Sequence, residues 1–134
     1  ALKQNARKYL FSTLVTRPSS YMDGVYVLSE SIRHLCRKKP YLVDVMVYVH
    51  VSAAGAVNHD ALRRAGIGVK ILESVVPNDE YESDLYVKRA NRSGCCGLKE
   101  LLKLEAFRES AYEKVVIIDS DMVLQRSLDH LLYA

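Results

Sequence analysis

The strongest constraint on the fold is an apolar run near the end of the chain that leads directly into two acidic residues. Residues 115–118 are all β-branched, and Asp119, Ser120 and Asp121 follow them. Such a run is typical of a strand buried on both faces, and in an open parallel sheet ligands collect beyond the carboxyl ends of the strands. Because side chains alternate along extended backbone, we expect Asp119 and Asp121 to share one side and to hold one divalent cation.

Strand and helix signals alternate along the rest of the chain. We predict strands at residues 9–16, 43–50, 69–76 and 114–119, and helices that begin near Ser20 and cover residues 58–65 and 98–108. Connections of this length require parallel pairing with right-handed crossovers. The sequence therefore predicts an α/β fold with a Rossmann-like, mostly parallel sheet and helices on both faces.

Two further local patterns bear on this fold. Ser20 and Asp23 match a capping box at the start of the first helix, whose apolar face consists of Val25, Leu28, Ile32, Leu35 and Cys36. Residues 78–97 are polar and charged, which predicts a long loop. This loop could close over a neighbouring functional site as a lid. The alternative is a surface loop that has no role in the site.

Composition and charge exclude several classes of protein. The 134 residues fit one domain, and a net charge of +3 without a basic stripe argues against nucleic-acid binding. No stretch reaches the roughly 18 apolar residues of a membrane span, and no signal peptide opens the sequence. Cys36, Cys95 and Cys96 lack zinc-site spacing, which favours free thiols in a reducing compartment. We therefore expect a cytoplasmic protein.

The chain has no glycine-rich loop that could hold phosphates. The first predicted strand leads into Arg17, Pro18, Ser19 and Ser20, which match neither GxGxxG nor a P-loop. Phosphates would therefore have to be neutralised in another way, and a divalent cation on the Asp119 and Asp121 pair is the natural candidate.

An ordered set of motifs resembles the family 8 glycosyltransferases, the glycogenin-like enzymes of GT-A fold. The matching residues are Thr13-Leu14-Val15-Thr16, Tyr21, Gly24, Leu28, Ser31-Ile32-Arg33, Leu102-Lys103-Leu104, and residues 112–124 with Asp119-Ser120-Asp121. The similarity runs from about residue 10 to the last residues of the chain. It covers the front half of a family catalytic domain.

The resemblance implies a UDP-sugar-dependent hexosyltransferase that acts with retention, requires Mn²⁺ (or Mg²⁺), and uses a carbohydrate or protein hydroxyl as acceptor. It implies contacts of Leu14, Thr16 and Tyr21 with uracil, and of Ser120 with the donor. Asp119 and Asp121 would bind the metal, with the ribose and diphosphate beside them. Lys103 would face the donor sugar and phosphates, so the implied catalytic residues are Asp119, Asp121 and Lys103.

Two of these assignments have close alternatives. Lys99 lies one turn before Lys103 and could be confused with it. The family arginine near the donor corresponds to Arg89 or Arg92, in a stretch that departs from the common pattern.

Family members complete the metal site with a distant histidine and grip the diphosphate with a glycine- and lysine-containing segment. Neither occurs before Ala134. We therefore expect residues 1–134 to be the nucleotide-sugar-binding part of a domain truncated on its C-terminal side. Such a part exposes apolar surface that favours formation of a homo-oligomer.

Two alternative functions remain open at the sequence level. The segment from Val115 to Asp121 also resembles the nucleophile strand of haloacid-dehalogenase-type phosphatases, although that motif normally opens the core of its domain. A non-catalytic nucleotide-binding fragment is the other alternative.

Overall fold

The computed structural model describes residues 6–77, 83–92 and 97–134. Its strands are β1 (Lys8–Val15), β2 (Leu42–His50), β3 (Ile67–Leu72) and β4 (Lys114–Ile117). Its α-helices are α1 (Tyr21–Cys36), α2 (His59–Arg64), α3 (Asp84–Arg92) and α4 (Asp129–Leu132). Within these described ranges, the 3₁₀ helices are η1 (Val51–Ala56) and η2 (Gly97–Arg108).

The four strands form one parallel sheet in the order β3-β2-β1-β4. Strands β2 and β3 add on one side of β1, and β4 then pairs with the other side of β1. The chain therefore reverses its direction of sheet growth between β1 and β4. In open α/β sheets this reversal leaves a crevice at the carboxyl ends of the two strands. The predicted α/β fold with a parallel, Rossmann-like sheet is confirmed.

Alternating side chains of β1 serve the two faces of the sheet. Tyr9, Phe11 and Val15 belong to the main hydrophobic core, to which α1 contributes Val25 and Ile32 among others. The opposite face carries Tyr48 of β2 and Lys70 of β3, which reach Glu109 just after η2. Helices therefore cover both faces, as the sequence predicts.

The predicted strand at residues 69–76 is displaced toward the N-terminus, because β3 covers Ile67–Leu72. Its pairing with β2 begins at Val45 opposite Ile67 and ends at His50 opposite Leu72. Beyond Leu72, β2 offers no further backbone to pair with. The end of the neighbouring strand, rather than Pro77, thus ends β3.

The prediction that residues 115–118 form a strand buried on both faces is wrong. In the part of the chain that the structure describes, β4 pairs with β1 alone, and Ile117 is 39% exposed. The regular strand ends at Ile117, although the amide of Ile118 still donates to the Ser12 carbonyl at 2.9 Å.

The segment predicted as a long loop contains a helix. α3 occupies Asp84–Arg92, and the Ser83 hydroxyl oxygen accepts from the amides of Leu85 and Tyr86 at 3.2 and 3.4 Å. This serine cap satisfies amides that a helix start leaves without partners. Residues 78–82 and 93–96, including Cys95 and Cys96, lie outside the described residues.

The predicted capping box of α1 does not form. The Ser20 side chain makes no cap hydrogen bond, and the amide of Tyr21 donates instead to the Ser19 hydroxyl oxygen at 3.3 Å. Leu35, predicted on the core face, is half-buried.

Among the described residues, no helix combines the length and apolar character that a membrane crossing requires.

Candidate functional site

A cleft of about 150 Å³, open to solvent, lies at the carboxyl ends of β1 and β4. This volume is smaller than that of typical small-molecule sites, roughly 300–1,000 Å³, so a ligand of nucleotide size would extend beyond the cleft. Of the residues that the structure describes, nine line it: Leu14, Val15, Thr16, Tyr21, Glu100, Lys103, Asp119, Ser120 and Asp121. Seven of these were predicted as site residues from the sequence, and they come from four separate stretches of the chain.

The end of β1 and the start of α1 form one wall of the cleft. Thr16 is buried directly after β1, whereas Tyr21, the first residue of α1, is 45% exposed. A half-exposed ring that lines a cleft can accept the face of a planar ligand.

The acidic pair lies in a turn and not in an extended strand. The amide of Met122 donates to the Asp119 carbonyl at 3.2 Å, which closes a turn over residues 119–122. Asp119 and Asp121 are exposed while Ser120 is buried. The prediction that alternation along a strand brings the two carboxylates to one side is therefore wrong. Both carboxylates nevertheless line the same cleft, because the turn places them there.

Helix α1 fixes this turn at two points. A Cβ atom at Gly24 would lie 2.2 Å from the Ser120 carbonyl oxygen, so a glycine is needed for the helix to approach the turn this closely. About two turns further along the helix, the Ser31 hydroxyl accepts from the amide of Leu124 at 3.2 Å. The backbone on the C-terminal side of the acidic pair is thereby tied to α1.

Lys103 links the opposite wall to the acidic turn. Its ammonium group donates to Asp119 Oδ1 at 2.9 Å and forms an ion pair with Glu100 Oε2 at 2.7 Å. The hydrogen bond to Glu100, and then that to Asp119, raises the pKa of Lys103 well above its usual value. Lys103 is therefore a fixed positive charge at neutral pH.

Glu100 lines the cleft but is not among the site residues that the sequence predicts. The signal was its spacing, because an acidic residue three positions before a lysine on a helix is a common ion-pair arrangement. In the structure Glu100 and Asp119 both contact the Lys103 ammonium.

The donor set of the cleft suits a hard divalent cation only in part. Carboxylate oxygens such as those of Asp119 and Asp121 are the ligands that Mn²⁺ and Mg²⁺ prefer. Within the described ranges, however, no group of three or more acidic, histidine or cysteine side chains is arranged to hold a metal. The pair therefore fits a metal that takes its remaining oxygen ligands from a bound phosphate or from water.

Arg89 is exposed on α3 and is not among the residues that line the cleft. The structure thus does not bring this predicted donor-binding residue together with the others.

A second polar cluster lies at the carboxyl end of β2. Ser52 Oγ is 2.7 Å from His50 Nδ1, 3.0 Å from the Thr16 carbonyl oxygen and 3.2 Å from Lys99 Nζ. Burial, followed by the positive charge of Lys99, lowers the pKa of His50. The imidazole is therefore neutral at pH 7, and the cluster joins η1 and η2 to the floor of the cleft.

Comparison with protein-family models and with curated proteins gave no match.

Proposed function

We propose that this chain is the nucleotide-sugar-binding part of a metal-dependent, retaining hexosyltransferase. The enzyme would move a hexose from a UDP-sugar to a hydroxyl group of a carbohydrate or protein acceptor. One observation carries the proposal: seven residues of the ordered motif set, from four stretches of sequence, line a single cleft at the point where the sheet reverses direction. Nucleotides bind at this point in open α/β sheets.

The base would lie against β1 and the start of α1. Tyr21 is exposed enough to stack on uracil, and Leu14 and Thr16 would form the floor beneath it. Stacking on an aromatic ring is sequence-tolerant, so Tyr21 would supply affinity more than selectivity.

The diphosphate would lie at the acidic turn. Asp119 and Asp121 would hold Mn²⁺ or Mg²⁺, and the bound cation would neutralise the negative charge of the departing diphosphate. Lys103 already donates to Asp119 and remains charged, so it can turn to a phosphate oxygen when the carboxylate binds a cation. Glu100 would keep the ammonium oriented toward the cleft.

The phosphatase alternative has less support. In that family the nucleophile strand normally opens the core, whereas Asp119 here follows the fourth strand in chain order. The Asp119 carboxylate is also already paired with a cation, the Lys103 ammonium, before any phosphate binds.

Isothermal titration calorimetry with UDP, in the presence and absence of Mn²⁺, tests the proposal. We expect Mn²⁺ and UDP to bind far more tightly together than either does alone, because the diphosphate supplies oxygen ligands that the protein lacks. Asp121→Asn keeps the shape of the side chain but removes its charge, so it should abolish most of this synergy.

Ser120→Ala is the matched control, because it alters the same turn without removing a carboxylate. It should retain the synergy. UDP binding that is unchanged by both Mn²⁺ and Asp121→Asn would contradict the proposal.

A further inference from the structure

The polar cluster of His50, Ser52 and Lys99 borders the cleft but has no role in the function proposed above. Its hydroxyl contacts the carbonyl oxygen of Thr16, which itself lines the cleft. It follows the carboxyl end of β2, on the side of β1 away from β4. The cluster therefore marks the end of the cleft opposite the acidic turn.

Helix η2 places two lysines on opposite sides of β1. In a 3₁₀ helix, residues three apart lie above one another. Lys99, Leu102 and Glu105 thus form one row, whose ends reach Ser52 after β2 and Lys70 of β3. Glu100 and Lys103 form the next row, which reaches Asp119 after β4.

The two lysines differ in how their charge is compensated. Lys103 is paired with two carboxylates, Glu100 and Asp119. Within residues 6–77, 83–92 and 97–134, Lys99 forms no ion pair with a carboxylate, and its ammonium donates to the Ser52 hydroxyl. Because His50 is neutral, the positive charge of the cluster belongs to Lys99 alone. Such a donor is available to an uncharged acceptor on a ligand.

The sheet dimensions match a nucleotide that lies across β1. Two strand spacings, about 9.5 Å in total, separate β4 from β2. A nucleoside diphosphate whose phosphates lie at Asp119 and Asp121 would therefore extend across Leu14 and Thr16 toward Ser52 and Lys99. In this orientation the polar edge of the base is the part of the nucleotide that reaches Ser52 and Lys99.

We propose that Lys99 and Ser52 form a base-recognition subsite in which the Lys99 ammonium donates to the carbonyl oxygen at position 4 of uracil. This inference rests on the proposed function and deepens it. Lysine has donors but no acceptor. Uracil presents an oxygen acceptor at position 4, whereas cytosine presents an amino donor there. The subsite therefore favours UDP over CDP, two ligands with the same diphosphate.

Calorimetric titration of UDP and CDP in the presence of Mn²⁺ tests this subsite directly. We expect the unmodified chain to bind UDP at least tenfold more tightly than CDP. Lys99→Met should weaken UDP binding about tenfold, leave CDP binding nearly unchanged, and so remove the preference. Lys38→Met, an exposed lysine in the turn after α1, should leave both affinities as they are.

Thermal denaturation of each variant checks that folding is intact, and Lys99→Leu provides a second variant without a donor if Lys99→Met does not fold. The subsite would be overturned if the unmodified chain bound UDP and CDP equally, or if the preference for UDP were unaltered in the Lys99 variants. Mn²⁺-dependent binding of UDP would in that case still support the proposed function. A chain that binds neither nucleotide with Mn²⁺ would overturn both.

Discussion

Gly24 determines how closely α1 can approach the acidic turn. Its absent side chain leaves room for the Ser120 carbonyl, which would lie 2.2 Å from a Cβ atom. We expect Gly24→Ala to lower the free energy of unfolding by ~1–3 kcal/mol, the usual cost of overpacking, and to weaken joint binding of Mn²⁺ and UDP. Denaturant unfolding and calorimetry measure the two effects.

Gly55→Ala is the control for this substitution, because nothing lies within 4 Å of a Cβ at that position. It should change the free energy of unfolding by no more than about 0.5 kcal/mol. If the two alanine variants behaved alike, the close approach of α1 to the turn would have no energetic role.

Tyr21 provides the second prediction at the residue scale. If its ring stacks on the base, Tyr21→Ala should weaken UDP binding by ~1–3 kcal/mol, the usual size of one base-stacking contact. Tyr21→Phe retains the ring and should keep nearly all of the affinity. Calorimetry that found equal affinities for the alanine and phenylalanine variants would remove Tyr21 from the base site.

Individual site residues were predictable where a motif fixed their chemistry. Asp119, Asp121 and Lys103 belong to short ordered motifs, and the structure places all three on one cleft. Glu100 was missed because its significance comes from the Lys103 ammonium that it orients. The turn at residues 119–122 was missed because β-branched residues before an acidic pair do not reveal where pairing with β1 stops.

At the scale of elements, η2 carries Lys99, Glu100 and Lys103, so its placement on the sheet governs the cleft. Its C-terminal end is held by Glu105 and Glu109, which form ion pairs with Lys70 of β3. Both carboxylates are largely buried.

Removal of Lys70 would take away the cation that contacts Glu109, whereas Glu105 would keep its ion pair with Arg108. We expect Lys70→Met to cost ~1–3 kcal/mol of unfolding free energy, since a buried acceptor loses its partner. Arg63→Met removes an exposed ion pair with Asp60 and should cost about 0.5 kcal/mol or less. Urea denaturation of both variants compares them, and equal midpoints would show that the Lys70 pairs do not anchor η2.

The Asp129 carboxylate links helix α4 to the segment that precedes β2. Asp129 accepts hydrogen bonds from the Lys39 ammonium and from the Tyr41 hydroxyl, and the Lys39 bond is the main reason that the pKa of Asp129 is lowered. A carboxyl group with a lowered pKa stabilises the fold above its unfolded pKa, about 4, and loses this contribution as the pH falls through its folded value.

We therefore expect the amides of α4 to lose protection from hydrogen exchange below about pH 4, while the amides of the sheet strands are still protected. Asp129→Asn should show weak α4 protection that no longer depends on this titration. Protection that is equal in the two proteins at pH 6 would contradict the role of the carboxylate.

Elements were predicted well where a local pattern coincided with a tertiary boundary. The first two strands and α1 appear close to their expected places because alternation and turn residues mark them. β3 was displaced because its length is set by pairing with β2. α3 was missed because its polar sequence buries no residue against the sheet, and its cap at Ser83 was the remaining signal.

At the scale of the whole molecule, the sequence indicated a parallel α/β sheet but not the order of its strands. The order of the strands depends on which faces of the sheet α1 and η2 cover. It therefore depends on contacts between residues that are distant in the chain. The observed order places β1 between β2 and β4, with the acidic turn on one side and Lys99 on the other. A ligand that crosses β1 would therefore touch residues far apart in the chain.

Paramagnetic broadening of amide NMR signals by Mn²⁺, recorded with and without UDP, tests whether metal and nucleotide bind together between β1 and β4. We expect the broadening by Mn²⁺ with UDP to be strongest at Asp119, Ser120 and Asp121, to extend to Leu14 and Thr16, and largely to disappear without the nucleotide. Broadening centred elsewhere, such as on the open cleft lined by His59 and Ile67, or broadening that is the same without UDP, would contradict a metal–nucleotide site between β1 and β4.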